Sequence, residues 1–149
     1  MIRTDAEYKD AIQRLDEDRN VIAQQQQTLT AKGLDAASIA RVMAPTLSFH
    51  EQLKEEVEAY EKMRRGEVAP IQSLAHIGRM LIGMRIAMGV TQRELAIRLD
   101  VSETQVSRDE RNDYHGISVE RAQRVIDALK GKVTVQAEVP QEEGDLVGV

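Results

Sequence analysis

Between Gly89 and Glu110 the chain reads GVTQRELAIRLDVSETQVSRDE, and its polar residues stand where short helices need them. Thr91 precedes Glu94 by three positions, the spacing of a capping box at a helix start. Ser102 has the side chain to cap a second helix. After it come Glu103, Thr104, Gln105 and Arg108, which together offer hydrogen-bond donors and acceptors within about two helical turns. Such a set can grip another polar surface. It cannot by itself carry out bond-breaking chemistry, because no nucleophile in the chain stands beside a plausible base.

Other sources of chemistry are sparse. His50, His76 and His115 are dispersed and lack the close carboxylate or cysteine partners of a metal motif. The chain has no cysteine, which removes both a disulfide framework and a zinc-thiolate site. A phosphate-cradling glycine loop and a Gly-x-Ser-x-Gly elbow are both missing. The expectation is a binding protein that is not an enzyme, with no metal and no cofactor.

The polar set needs a frame. Leu95, Ala96 and Leu99 give the first short helix a buried side, and Ala96 is small where a second helix would cross closely. Asp100 and Val101 make the turn, and Val106 points the second helix inward. Two helices of this length bury little alone. Their scaffold is read as Ile77, Leu81, Met84 and Ile86 before them and Val119, Ala122, Val125, Ile126 and Leu129 after them, a domain over residues 72–130. Met80, Met84 and Met88, spaced by four, are read as core. Arg111 to Ser118 is a loop leading into a helix capped by Ser118.

The flanks differ in character. In residues 1–66, Tyr8, Leu15, Ile22 and Leu29 recur every seven positions, which predicts a helix with a narrow apolar stripe. Thr4 or Asp5 caps it, Glu7 is placed to complete a box on Thr4, and Gly33 is its stop. A short helix over Asp35 to Met43 is expected to be interrupted by Pro45. Another then runs from about Thr46 to Arg65, with Leu53, Val57, Tyr60 and Phe49 on its apolar face, and Gly66 ends it. In residues 131–149, Val133, Val135, Ala137 and Val139 alternate with polar residues, the pattern of one short half-buried strand before an acidic tail. A lone strand needs a neighbour, so it is expected to pair with a second copy or a partner.

Composition agrees with packed helices. Hydrophobic residues make up 42% of the 149 and aromatic residues only 3%, so the core must be aliphatic. No apolar run is long enough to span a bilayer, and Met1 to Asp10 lacks the form of a secretory signal. The expected compartment is the cytoplasm, with no membrane partner. The net charge of −5 argues mildly against a nucleic-acid partner. Its distribution matters more. Residues 67–131 hold nine basic and nine acidic side chains, while both flanks are acidic. Phosphate contacts are local, so a balanced domain can still bind DNA.

From about Ile77 to Leu129 the sequence resembles the Cro/C1-type helix-turn-helix regulators, the XRE family. Arg85, Gly89, Thr91-Gln92, Glu94-Leu95-Ala96, Leu99, Val101-Ser102, Val106-Ser107-Arg108 and Glu110 stand at that family's spacing. Asp100 departs from it where glycine is usual in a left-handed turn, and Asp109 departs where a larger apolar residue is common. The resemblance implies an all-α, lambda-repressor-like helix-turn-helix bundle, here with an N-terminal helical extension and one C-terminal strand. It implies a transcriptional regulator, read as a repressor that binds a near-palindromic double-stranded operator as a homodimer.

The resemblance also implies residue roles. The helix starting at Ser102 would enter the major groove and present Ser102, Glu103, Thr104 and Arg108. Arg108 would pair with a guanine and Glu103 with a cytosine amino group. Gln92 would lie against a phosphate, and Gln105, Arg111, Asn112 and Tyr114 would reach the backbone. Arg85 and Glu110 would form a structural ion pair. A fainter similarity, in the Tyr8-containing helix and Glu58 to Glu61, is to HigA-type antitoxins, which implies a protein toxin as an alternative partner.

Overall fold

The computed structural model describes residues 1–140. The acidic tail expected over residues 141–149 lies outside the described residues. Six α-helices follow in order: α1 (Asp5–Ala31), α2 (Ala36–Arg64), α3 (Ile77–Ala87), α4 (Gln92–Leu99), α5 (Glu103–Arg111) and α6 (Val119–Ala128), with a 3₁₀ turn at Leu74–His76 before α3.

Helix α1 starts where its cap predicts. Thr4 Oγ1 accepts from the Glu7 N–H at 3.2 Å. The return arm goes one residue further back, since the Glu7 carboxylate accepts from the Arg3 N–H at 2.8 Å. Asp35 caps α2 by accepting from the Ser38 N–H at 2.8 Å. The two long helices run antiparallel: Tyr8 stacks on Tyr60 with ring centroids 5.2 Å apart and donates its hydroxyl to Glu61 at 2.7 Å. The Arg64 guanidinium lies over both rings, 5.8 and 5.9 Å from their centroids, which ties the chain-terminal end of the hairpin.

Pro45 does not interrupt α2, which runs unbroken over 29 residues. Proline removes one N–H from the helical ladder and crowds the preceding turn. The ring of Pro45 sits on the exposed side, while Met43 and His50 on the other side are buried. Packing against α1 along the whole length, which includes Leu15 and Ile22, outweighs one lost bond.

The lower part of this hairpin shares a single apolar cluster with the C-terminal helices. Ile2, Ala11, Leu15, Val57 and Tyr60 join Leu81, Ile82, Leu95, Val106, Val125 and Leu129. Of the residues expected in the scaffold, Val119 is 81% exposed, because at the first position of α6 it precedes the turn that faces the core. Met84 is buried, Met80 is half-buried, and Met88, at the end of α3, is exposed.

The expected C-terminal strand is absent among the described residues, where residues 131–140 adopt no regular secondary structure. Val133 packs against the core, but Val135 and Val139 are 72% and 84% exposed. A strand is stabilised by the neighbour that completes its hydrogen bonds, and the described chain is otherwise helical, with no sheet edge to offer.

A tight contact joins α3 to the loop after α5. Asp113 and Tyr114 both have positive φ, 52° and 51°, in a left-handed corner that costs side-chain-bearing residues about 1–2 kcal/mol each. The corner buries Tyr114 and presses the Asp113 carbonyl onto α3 at Gly78. A Cβ there would stand 1.8 Å from that backbone oxygen. Gly78→Ala is therefore expected to destabilise the fold by about 3 kcal/mol, the upper end for overpacking. Urea unfolding should show a lower midpoint at unchanged slope; an unaltered midpoint would mean that the corner gives way freely.

Candidate nucleic-acid interface

Helices α4 and α5 are short, polar and fixed by local chemistry at each joint. Thr91 and Glu94 form the reciprocal box: Thr91 Oγ1 accepts from the Glu94 N–H at 3.1 Å, and the Glu94 carboxylate accepts from the Thr91 N–H at 3.0 Å. Asp100 takes the left-handed conformation, φ 55° and ψ 45°, that ends α4. Ser102 Oγ then accepts from the Gln105 N–H at 3.1 Å and starts α5. Leu95, Ala96 and Val106 are buried at the crossing of the two helices.

Helix α5 buries only Val106 and Glu110, so apolar packing alone holds it weakly. Glu110 supplies the second anchor. Its side chain is 0% exposed and meets Arg85, 4% exposed, through two bonds. Arg85 Nε donates to one carboxylate oxygen, and a terminal nitrogen donates to the other at 2.8 Å. Arg85 also donates to the carbonyls of Val90, at 2.9 Å, and Arg3, at 2.8 Å. Gln92 Nε2 donates to the second Glu110 oxygen at 2.7 Å. The buried charges are thus paired and hydrogen-bonded, the condition under which burying them is tolerable.

Asp109 stands on the other flank of α5. It accepts from Gln105 Nε2 at 3.0 Å and from Arg121 of α6 at 3.0 Å. A polar bridge to α6 therefore occupies a position where apolar contact was the expected way to hold the helix.

These anchors leave one face of α5 open. Ser102, Glu103, Thr104, Arg108, Arg111 and Asn112 are exposed, and Arg111 also borders a second cavity with Glu55 and Glu56 of α2. Gln92, Glu103, Thr104, Ser107, Arg108 and Arg111 line one shallow hollow of about 420 Å³. Ser107 was not singled out from the sequence, although its place three and four residues from Thr104 and Glu103 would have put it on that face. Three of the sequence-chosen residues do not line the hollow: Ser102, exposed at the start of α5, Gln105 and Asn112. Gln105 turns toward Asp109, and Asn112 borders a separate depression with His76, Arg79 and Ile117. Because Gln92 Nε2 faces a carboxylate, its amide orientation is set, and its oxygen is the group left to accept. The N–H groups of Gln92 and Arg93 sit at the mouth of α4, where a helix has donors without intrahelical partners.

The open face combines Arg108 and Arg111 with acceptors from Glu103, Thr104 and Ser107 on a helix narrow enough for a DNA major groove. Among the described residues no group of three or more His, Asp or Glu side chains could hold a metal ion, and no helix is long and apolar enough to cross a membrane. A family model described as Helix-turn-helix matches residues 83–135, which leaves the two long N-terminal helices outside the match. No curated protein and no solved structure matches the chain.

Two stability tests follow from the anchors. Glu110→Ala leaves the Arg85 charge buried and is expected to cost about 3–5 kcal/mol, whereas Arg85→Met with Glu110→Leu should recover much of that loss. A double variant no more stable than Glu110→Ala would deny that uncompensated charge is the cause.

The second test uses Tyr114. Burial, and then the negative charges of Glu110 and Asp109, push its phenol well above the ordinary tyrosine range. Unfolded, the phenol titrates near pH ~10. The folded state keeps the proton longer, so this stability is present below about pH 10 and is lost as pH rises past it. Tyr114→Phe should flatten the alkaline decline of unfolding free energy, leaving the share from Tyr8, raised chiefly by its hydrogen bond to Glu61, and Tyr60, raised by burial. An equally steep decline in the variant would assign it elsewhere.

Proposed function

We propose that the chain is a sequence-specific repressor of the Cro/C1 type that binds a near-palindromic operator as a homodimer, a reading supported by the match of residues 83–135 to a helix-turn-helix family model. It acts by binding and not by catalysis. The observation that carries the reading is the exposed row Ser102, Glu103, Thr104 and Arg108 on α5, left open although a long hairpin packs on the same domain.

In this reading α5 is the recognition helix. Arg108 donates its planar fork to a guanine edge, and Glu103 accepts from a cytosine amino group on the same half-site. Ser102 and Thr104 add contacts at the N-terminal end. The backbone N–H groups at Gln92, together with Arg111 and Asn112, meet phosphates and set the register without reading bases. Gln105 reaches the backbone only by leaving Asp109. Arg85 and Glu110 stay inside and hold the helix at its angle.

We assign dimerisation or partner binding to residues 1–66 and DNA binding to residues 72–130. Two domains reading a two-fold site place their recognition helices about 34 Å apart. The hairpin offers surface for that contact, since Val42 and Phe49, seven residues apart on α2, are both exposed, Phe49 by 73%. A second reading makes the chain an antitoxin that also represses its own operon. It is favoured by the acidic excess of the hairpin, which suits a basic toxin, and by the meeting of Tyr8 with Glu61, the two places where the antitoxin resemblance lay.

Selection of bound duplexes from random DNA tests the primary reading. The expected product is a near-palindrome with half-site centres about one helical turn apart. On that site Arg108→Ala should cost about 1–3 kcal/mol and relax the preference at one base pair per half-site. Gln92→Ala, which removes a side-chain donor to Glu110 and so loosens α5, should weaken all sites alike. Selection that yields no common sequence, or an Arg108→Ala protein that binds as the wild type does, would end the assignment.

A further inference from the structure

The first three residues make contacts that neither the helix-turn-helix pattern nor the hairpin requires. Ile2 is buried in the shared apolar cluster. The Met1 amino group pairs with Glu56 of α2 at 3.2 Å. Arg3 lies between them and the C-terminal domain, and it is bonded in both directions. Its carbonyl accepts from Arg85 at 2.8 Å, and its guanidinium donates to the Glu110 carbonyl at 3.0 Å. Its own N–H is held by Glu7 at the start of α1.

The Glu110 carbonyl belongs to the last turn of α5, whose carbonyls lack partners further along the helix and carry the negative end of the helix dipole. The Asp113 N–H already reaches it at 2.9 Å. Arg3 adds a charged donor at the same oxygen. A cation there steadies the end of α5 opposite the one that begins at Ser102, and it does so from 107 residues away in sequence. Arg3 is only partly buried and does not line the hollow on the open face.

We propose that Arg3 is a positioning residue for DNA recognition: it fastens the C-terminal end of α5 to the N-terminal hairpin and so makes operator affinity depend on how residues 1–4 are docked. This rests on the DNA-binding reading of α5. Arg3 acts through the pose of the helix and not through a phosphate, which gives the proposal a distinctive signature. Losing a phosphate contact makes the salt dependence of binding shallower by about one counterion, whereas losing a positioning contact lowers affinity by the same factor at every salt concentration.

The test uses the full chain as wild type, Arg3→Ala, Arg3→Lys and Arg108→Ala, titrated against a duplex selected by the wild type over a range of salt. Amide hydrogen exchange is measured in parallel on the DNA-free proteins. Arg3→Ala is expected to bind about ten-fold more weakly with the wild-type salt slope, as suits loss of one charge-assisted hydrogen bond. Amides of α5 from Val106 to Arg111 should exchange faster while those of α6 from Ala122 to Ile126 keep their rates. Arg3→Lys, which keeps the charge but not the fork, should recover part of both losses, and it serves for the comparison if Arg3→Ala does not fold.

Wild-type affinity in Arg3→Ala overturns the proposal. So does a slope shallower by one, which would make Arg3 a phosphate contact, or equal acceleration in α5 and α6, which would make it a general stabiliser. If the wild type binds no duplex and Arg108→Ala changes nothing, the DNA reading has failed, and the exchange comparison still decides whether Arg3 fastens α5.

Discussion

One buried carboxylate organises the C-terminal half of this protein. Glu110 has no contact with water, and an ionised carboxylate in that position is intolerable unless its acceptor sites are filled. Arg85 and Gln92 fill them, and Arg85 spends its remaining donors on the carbonyls of Val90 and Arg3. Each partner comes from a different piece of chain: α3, the turn before α4, the start of α4, and the N-terminal segment. A swing of α5 out of place would break several charge-assisted bonds together. Isolated surface ion pairs, such as Lys9 with Asp5, restrain little by comparison.

That constraint explains why α5 can be so polar. A recognition helix must show side chains that hydrogen-bond to bases, and those side chains cannot also pack a core. With Val106 and Glu110 as its only buried residues, α5 depends on bonds at its edges. Ser102 holds its first turn, Arg85 and Gln92 hold Glu110, and Arg121 holds Asp109. Asp109 shows the substitution at work. Where an apolar side chain would dock against the bundle, a carboxylate reaches Arg121 instead, and it also draws Gln105 away from the open face. In the proposed reading, base contacts from α5 are thereby left to Ser102, Glu103, Thr104 and Arg108.

What could be read from the sequence divides along the range of the interactions. Both caps, the capping box and the left-handed Asp100 depend on residues within four positions of one another, and the one-dimensional pattern shows them. The continuity of α2 through Pro45 was hidden, because the local penalty at proline is opposed by packing against α1 that no local rule counts. The valine alternation after Gly131 misled for the same reason in reverse. It satisfies the pattern of a strand, but a strand exists only through a neighbour, and the described chain supplies none. Arg3 was invisible, because a single arginine near a chain terminus has no pattern at all until folding brings residue 110 beside it.

The charge distribution is compatible with the proposed DNA reading despite the acidic total. Screening confines the reach of surface charges to about 8–10 Å at ordinary ionic strength, so hairpin carboxylates beyond that distance weigh little on the α5 face. At the face, Arg108 and Arg111 stand with Glu103, and no other lysine or arginine lines the hollow. Non-specific attraction to phosphate should therefore be weak, since it scales with the number of cations engaged. In the proposed reading, affinity comes from correct base contacts repeated on two half-sites, and such contacts tolerate little error in the angle of α5. A protein of this charge has more need of a rigidly held recognition helix than a strongly basic one, and the clasp of Arg85, Glu110, Gln92 and Arg3 supplies that rigidity.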